Sequence, residues 1–136
     1  MADLTITKAN VIPGANATIK TGTAGGTVTT GQTIYEDTTD GNSLKACDAD
    51  VLASAACKGI AVADALDGQP LPYVSAGDLA FGAILTAGQI YVVSTTAGGI
   101  APYADLASGD YVTILGVASS TSNLAISLNV SGTAKG

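Results

Sequence analysis

The chain has 136 residues, enough for one domain that builds its own core. Its net charge is −6, from 11 acidic residues against five lysines and no arginine, which excludes the basic footprint of a direct nucleic-acid binder. There is no histidine, so the commonest general base and metal ligand are missing, and with them any Ser/His/Asp or Cys/His nucleophile pair.

The opening, MADLTITKAN, lacks the basic and then apolar pattern of a secretory leader. No apolar run approaches the roughly 18 residues of a membrane helix, so a soluble chain made in the cytoplasm, with no membrane partner, is expected. Residues 1–28 read as an extended arm and a first strand. Leu4 and Ile6 alternate with Thr5 and Thr7, Pro13-Gly14 makes a turn, and Val11, Ile12 and Ile19 offer further apolar contacts.

A first unit spans residues 29–77. A glycine turn opens a strand over 32–36, Asp40-Gly41 turns it back, and DADVLASAACKG then leaves room for one or two helical turns. Asp48 or Asp50 is the expected cap of those turns and Gly59 the expected stop. GIAVAD and PLPYVSAG close the unit as two strands. Cys47 and Cys57 lie together without histidine or further thiols, so they read as reduced, buried space-fillers.

A second unit, residues 86–132, repeats the first. GQTIY at 31–35 returns as GQIY at 88–91, one insertion apart, which makes Tyr35 and Tyr91 counterparts in the core. ADVLAS returns as ADLAS, GIAVAD as GVASST, and YVSAG as NVSG, always in order. Gly31 and Gly59 are separated as Gly88 and Gly116 are, which sets a period of about 57 residues. In NLAISLNV, Leu124, Ile126, Leu128 and Val130 alternate with small or polar residues, the mark of a strand with one buried face.

With 17 glycines, abundant threonine and valine, one phenylalanine and no tryptophan, the core must be built from small and β-branched residues. About ten short strands, at most one short helix and two similar halves predict an all-β fold. The form expected is an antiparallel sandwich or barrel of jelly-roll type, each half covering the apolar face of the other.

The acidic clusters EDTTD and DAD supply no chemistry by themselves. Set against a calcium loop, Glu36, Thr38 and Asp40 fall on ligand positions, but Cys47 stands where the bidentate glutamate belongs. Solvated turn carboxylates are the expected reading, with no metal, no cofactor and no catalysis. Tyr73 and Tyr103 lie beside prolines in loop-like segments and are candidates for an interface.

Three stretches together carry a resemblance: ADLTITKANVIPGANATIKTGTAGGTVTTGQTIY, GIAVADALDGQPLPYVSAGDLAFGAILTAGQIYVVSTTAGGIAP and GDYVTILGVASSTSNLAISLNVSG. Over nearly its whole length the chain resembles the small capsid decoration, or cement, proteins of tailed bacteriophages. The resemblance implies a structural protein that binds the outer surface of the phage head and straddles neighbouring major capsid subunits. It also implies a homo-oligomer, with a dimer ahead of a trimer, found in the virion after assembly in the host cytoplasm. On this reading the arm is the capsid contact, through Ala2, Asp3, Leu4, Thr5, Ile6, Val11 and Ile12. It would order on binding and add strand hydrogen bonds to a capsid edge, with Tyr73 and Tyr103 as further contacts. A carbohydrate-binding β-sandwich of a fibre or adhesin, using exposed tyrosines and Asp/Asn loops, is the alternative.

Overall fold

A computed structural model describes residues 3–135. The described residues form ten strands: β1 (Ile12–Pro13), β2 (Thr18–Thr23), β3 (Thr33–Asp37), β4 (Ser43–Ala46), β5 (Cys57–Ala61), β6 (Pro70–Ala80), β7 (Ile90–Val93), β8 (Ile100–Pro102), β9 (Tyr111–Ala118) and β10 (Asn123–Ala134). Between them lie one helical turn, α1 (Leu52–Ala55), and two 3₁₀ turns, Lys8–Asn10 and Tyr103–Asp105. The fold is all-β with little helix, as expected. Every strand belongs to one antiparallel sheet, curled into a half-barrel rather than divided into two separate layers.

The order across the sheet is β4-β3-β5-β6-β10-β9-β7-β8, with β1 and β2 both laid along β6. Replacing each strand of the first unit by its counterpart in the second reverses this order, so the sheet has a local twofold at the β6–β10 junction. Pairing registers agree. Ile34 lies opposite Gly59 as Tyr91 lies opposite Gly116, and Thr33 opposite Ile60 as Ile90 opposite Val117, each at a shift of 57 residues. The opening turns match as well: the Gly31 and Gly88 amides donate to the carbonyls of Ala61 and Ala118 at 2.8 and 2.7 Å.

This register corrects two sequence pairings. No insertion separates GQTIY from GQIY, so the counterpart of Tyr91 is Ile34 and not Tyr35. The last strands match earlier than YVSAG and NVSG suggest: Val74, paired with Ile60, corresponds to Ala125, paired with Val117.

The main core gathers Cys57, Ile60, Val74, Leu79, Phe81, Leu85, Tyr91, Val92, Leu115, Leu124 and Ile126 from both units. A smaller cluster holds Val28, Ile34, Leu44, Ala61 and Leu71, with Tyr73 packed against it. A parallel bridge from Ala24 to Leu44 brings the end of β2 back to β4, so β2, β4, β3, β5 and β6 form a ring around this cluster. The halves therefore do not simply cover each other. Ile34 and Ala61 lie in the small ring, whereas their counterparts Tyr91 and Ala118 lie in the main core; Ile60 is fully buried, whereas its counterpart Val117 is 43% exposed.

Three local expectations are also revised. The turn α1 starts after Val51 without a side-chain cap, because the Asp48 carboxylate accepts instead from the Asp50 amide at 2.9 Å. Gly59 does not stop that turn but lies inside β5, where a side chain would strike the Val74 carbonyl. In β10 the alternation holds to Leu128, which packs half-buried against the main core. A register shift between Ile126 and Asn129 inserts one extra residue, and Val130 emerges 45% exposed.

Candidate functional site

The arm is strapped to the body. The Leu4 amide donates to the Ile100 carbonyl of β8 at 2.8 Å, and Leu4 and Ile6 pack half-buried against the main core. Ile6 fills the space over Gly31, where a β-carbon would lie 2.7 Å from its Cγ2 methyl. The Asp3 carboxylate accepts from the Ser94 hydroxyl at 2.6 Å. Lys8 pairs with Asp64 at 2.9 Å, and Asp64 also accepts from the amide and hydroxyl of Thr30 at 2.8 and 3.0 Å. One end of the arm thus holds the second unit and the other end the first.

The residues singled out in the sequence divide accordingly. Leu4 and Ile6 face inward, half-buried, and Val11 is buried. Thr5 and Ile12 face outward, Ile12 at 58% exposure. Tyr73 is half-buried on the small cluster, and burial, with the Glu36 charge behind it, raises its hydroxyl pKa. Tyr103 stands at the surface with the Lys135 ammonium 4.7 Å from its ring centre. Ala2 lies outside the described residues.

Sequence reasoning missed the rest of the exposed apolar set. Ile19, on β2, is 53% exposed and lies along the same edge of β6 as Ile12, because β1 and β2 follow one another on that strand. Val51, Leu52, Leu66, Ile90, Val117 and Val130 are also at the surface. The repeat gives no signal for Ile90 and Val117, because it places them where Thr33 and Ile60 stand and both of those are buried.

Asp37, Asp40, Asp48 and Asp110 are occupied as turn formers. Asp37 accepts from the Lys45 ammonium at 2.8 Å and from the Thr39 hydroxyl and amide at 2.6 and 3.0 Å; these bonds, led by the lysine, lower its pKa to about 2. Asp64 is also lowered to about 2, first by the Thr30 amide and then by Lys8. Asp50 shifts the other way through burial, aided by the charges of Asp48 and Asp110. Among the described residues no three acids or thiols converge on a point that would hold a metal ion. Cys47 and Cys57 are free thiols in the main core, and burial raises the Cys47 pKa.

Because Asp37 and Asp64 both titrate below their ordinary 3.8 when folded, their contribution is complete above about pH 4 and is lost as pH falls toward 2. Thermal melts should therefore be level from pH 7 to 5 and decline between pH 4 and 2. Asp64→Asn should flatten part of that decline, and an unchanged slope would show that the strap contributes nothing.

Two shallow grooves flank the arm and the hairpin. One, about 260 Å³, runs between the arm and residues 29–32 and 96–99. The other, about 460 Å³, lies between Tyr35, Glu36, Thr38 and Thr39 on one side and Ala53 and Ala56 on the other. Neither joins a nucleophile to a base. No protein-family model, curated protein or solved structure matches the chain, so fold and surface carry the functional argument.

Proposed function

We propose that the chain is a capsid decoration protein that binds the outside of a tailed-phage head and fastens neighbouring major capsid subunits. The observation that carries this reading is the edge of β6 covered by β1 and β2. Ile12 and Ile19 stand more than half exposed there. Outward apolar side chains of that kind are how a chain without reactive groups adheres to another surface. The resemblance in sequence supplies the class of surface, a capsid of many copies, where modest contacts add up through multivalency.

The strapped arm changes how contact is made. Leu4 and Ile6 are engaged at home, so a capsid meets the outer face of the N-terminal segment, with Thr5, Ile12, Ile19 and Lys20, rather than an arm that folds on arrival. Ile12→Asp with Ile19→Asp should leave the melting temperature unchanged and abolish co-sedimentation with empty heads of the cognate phage. Undiminished binding by the folded double variant would sink the assignment of this surface.

The groove beside Tyr35 favours one second reading, a carbohydrate module, because it sets one half-buried aromatic ring among two acids, Glu36 and Asp37, and the hydroxyls of Thr38 and Thr39. A glycan array gives the test: binding lost in Tyr35→Ala supports it, and an array without hits removes it.

A further inference from the structure

The chain holds two Asp-Gly pairs, Asp40-Gly41 and Asp67-Gly68, each in an exposed turn. The two are closely matched. Gly41 and Gly68 have φ of 65° and 85°, and a β-carbon on either would meet nothing within 4 Å. One contact separates them. The Gly68 amide donates to the Ala24 carbonyl at 2.8 Å, which pins its turn to the residue that follows β2, whereas the Gly41 amide has no hydrogen-bond partner among the described residues.

An unbonded glycine amide that follows an aspartate is a nucleophile beside an acyl carbon, with no side chain of its own to shield the nitrogen. The Asp40 side chain is 60% exposed, and only its Oδ2 is held, by the Lys45 ammonium and the Ser43 hydroxyl, both at 3.2 Å. Lys45 lies closer to Asp37, at 2.8 Å. Exposed contacts of this kind restrain a carboxylate weakly, so Cγ of Asp40 is free to approach the amide that follows it.

We propose that Asp40 is a site of spontaneous isomerisation to isoaspartate, in preference to Asp67. In the first step the Gly41 nitrogen attacks Cγ of the protonated Asp40 carboxyl. The N–Cγ bond forms, the Cγ–OH bond breaks, and the hydroxyl leaves with the amide proton as water. Water then opens the succinimide ring. Attack at Cγ restores aspartate; attack at the backbone carbonyl of residue 40 leaves the chain running through Cβ and Cγ, one carbon longer, with the former carbonyl free as a carboxylate. That carbonyl is the one that accepts from the Ser43 amide at 3.2 Å, so isomerisation undoes the bond at the start of β4. At Asp67 the same attack must first break the bond from Gly68 to Ala24. The product is a substrate for methyltransferases that use S-adenosylmethionine to esterify isoaspartyl carboxylates. The site exists whatever surface the protein adheres to, and does not depend on the capsid reading.

Ageing the full chain at physiological temperature and near-neutral pH tests it, folded and, in parallel, unfolded in urea, with isoaspartate located by electron-transfer fragmentation of the peptides. Measured against its own rate in urea, residue 40 of the folded chain should convert at least about fivefold faster than residue 67, the factor that one amide–carbonyl hydrogen bond is worth. Asp40→Glu keeps the charge but closes no five-membered ring, and should remove the product at residue 40 while leaving residue 67 unchanged. A smaller ratio in the folded chain would overturn the inference. So would a residue 40 that stays intact while the unfolded chain converts, or isoaspartate that persists between residues 38 and 44 in Asp40→Glu.

Discussion

Gly116→Ala should destabilise the protein by about 3 kcal/mol and lower its melting temperature by about 10 °C. A β-carbon there falls on the Ala125 carbonyl oxygen and lies 3.1 Å from Cα of Ile126, so the obstacle is backbone on the neighbouring strand and not a side chain that swings aside. β9 and β10 would have to part at the point where the sheet turns. Gly59→Ala should cost a similar amount, since the added carbon meets the Val74 carbonyl and, at 2.7 Å, the ring of Tyr73. Gly26→Ala is the control: nothing lies within 4 Å of its β-carbon, and a change within about 0.5 kcal/mol is expected. Circular-dichroism melts of the three variants decide the matter. Equal stability for Gly116→Ala and Gly26→Ala would contradict the close approach.

Phe81→Ala is expected to cost about 4 kcal/mol, the largest loss from any single truncation in this core. Phe81 is the only phenylalanine, is fully buried, and sits where β6 leaves the sheet, its amide bonded to the Ser122 carbonyl at the start of β10 at 2.9 Å. It therefore packs where the two units join. The small and β-branched residues around it have little length with which to refill the space. Urea unfolding should show a lower midpoint at unchanged slope, which separates lost stability from a change in the unfolded chain. Ile12→Ala, at an exposed site, should leave the midpoint in place.

The strands were legible because their cues are local. Threonine and β-branched residues between glycine turns mark β3, β7 and β9, and ordered landmarks mark the duplication. What could not be read is how the faces are used. A single extra residue in β10 sends Val130 outward, and such a shift leaves no trace in a run of Leu, Ile and Val. Likewise, Ile34 and Tyr91 occupy one place in the repeat but enter different clusters, because β2 closes a ring over the first unit and the second has no such strand. The candidate site was half legible. Alternation in Leu4 and Ile6 correctly signals one apolar face, but it does not say whether that face meets the protein's own body or another's. Ile19 was visible as an apolar residue; its exposure follows from its position on the outer strand of the sheet, which no short-range pattern encodes.

The order in which the strands leave the ribosome matters for how this molecule matures. The ring of β2 to β6 is complete once residue 80 has emerged, and it can close around its own small cluster while synthesis continues. The far half of β6 then waits for β10, the last of these strands to be made. Until β10 has been made, that half of β6 keeps a strand edge uncovered. A chain cut short before β10 would retain that edge, and would be expected to collect as aggregate rather than as a smaller working protein.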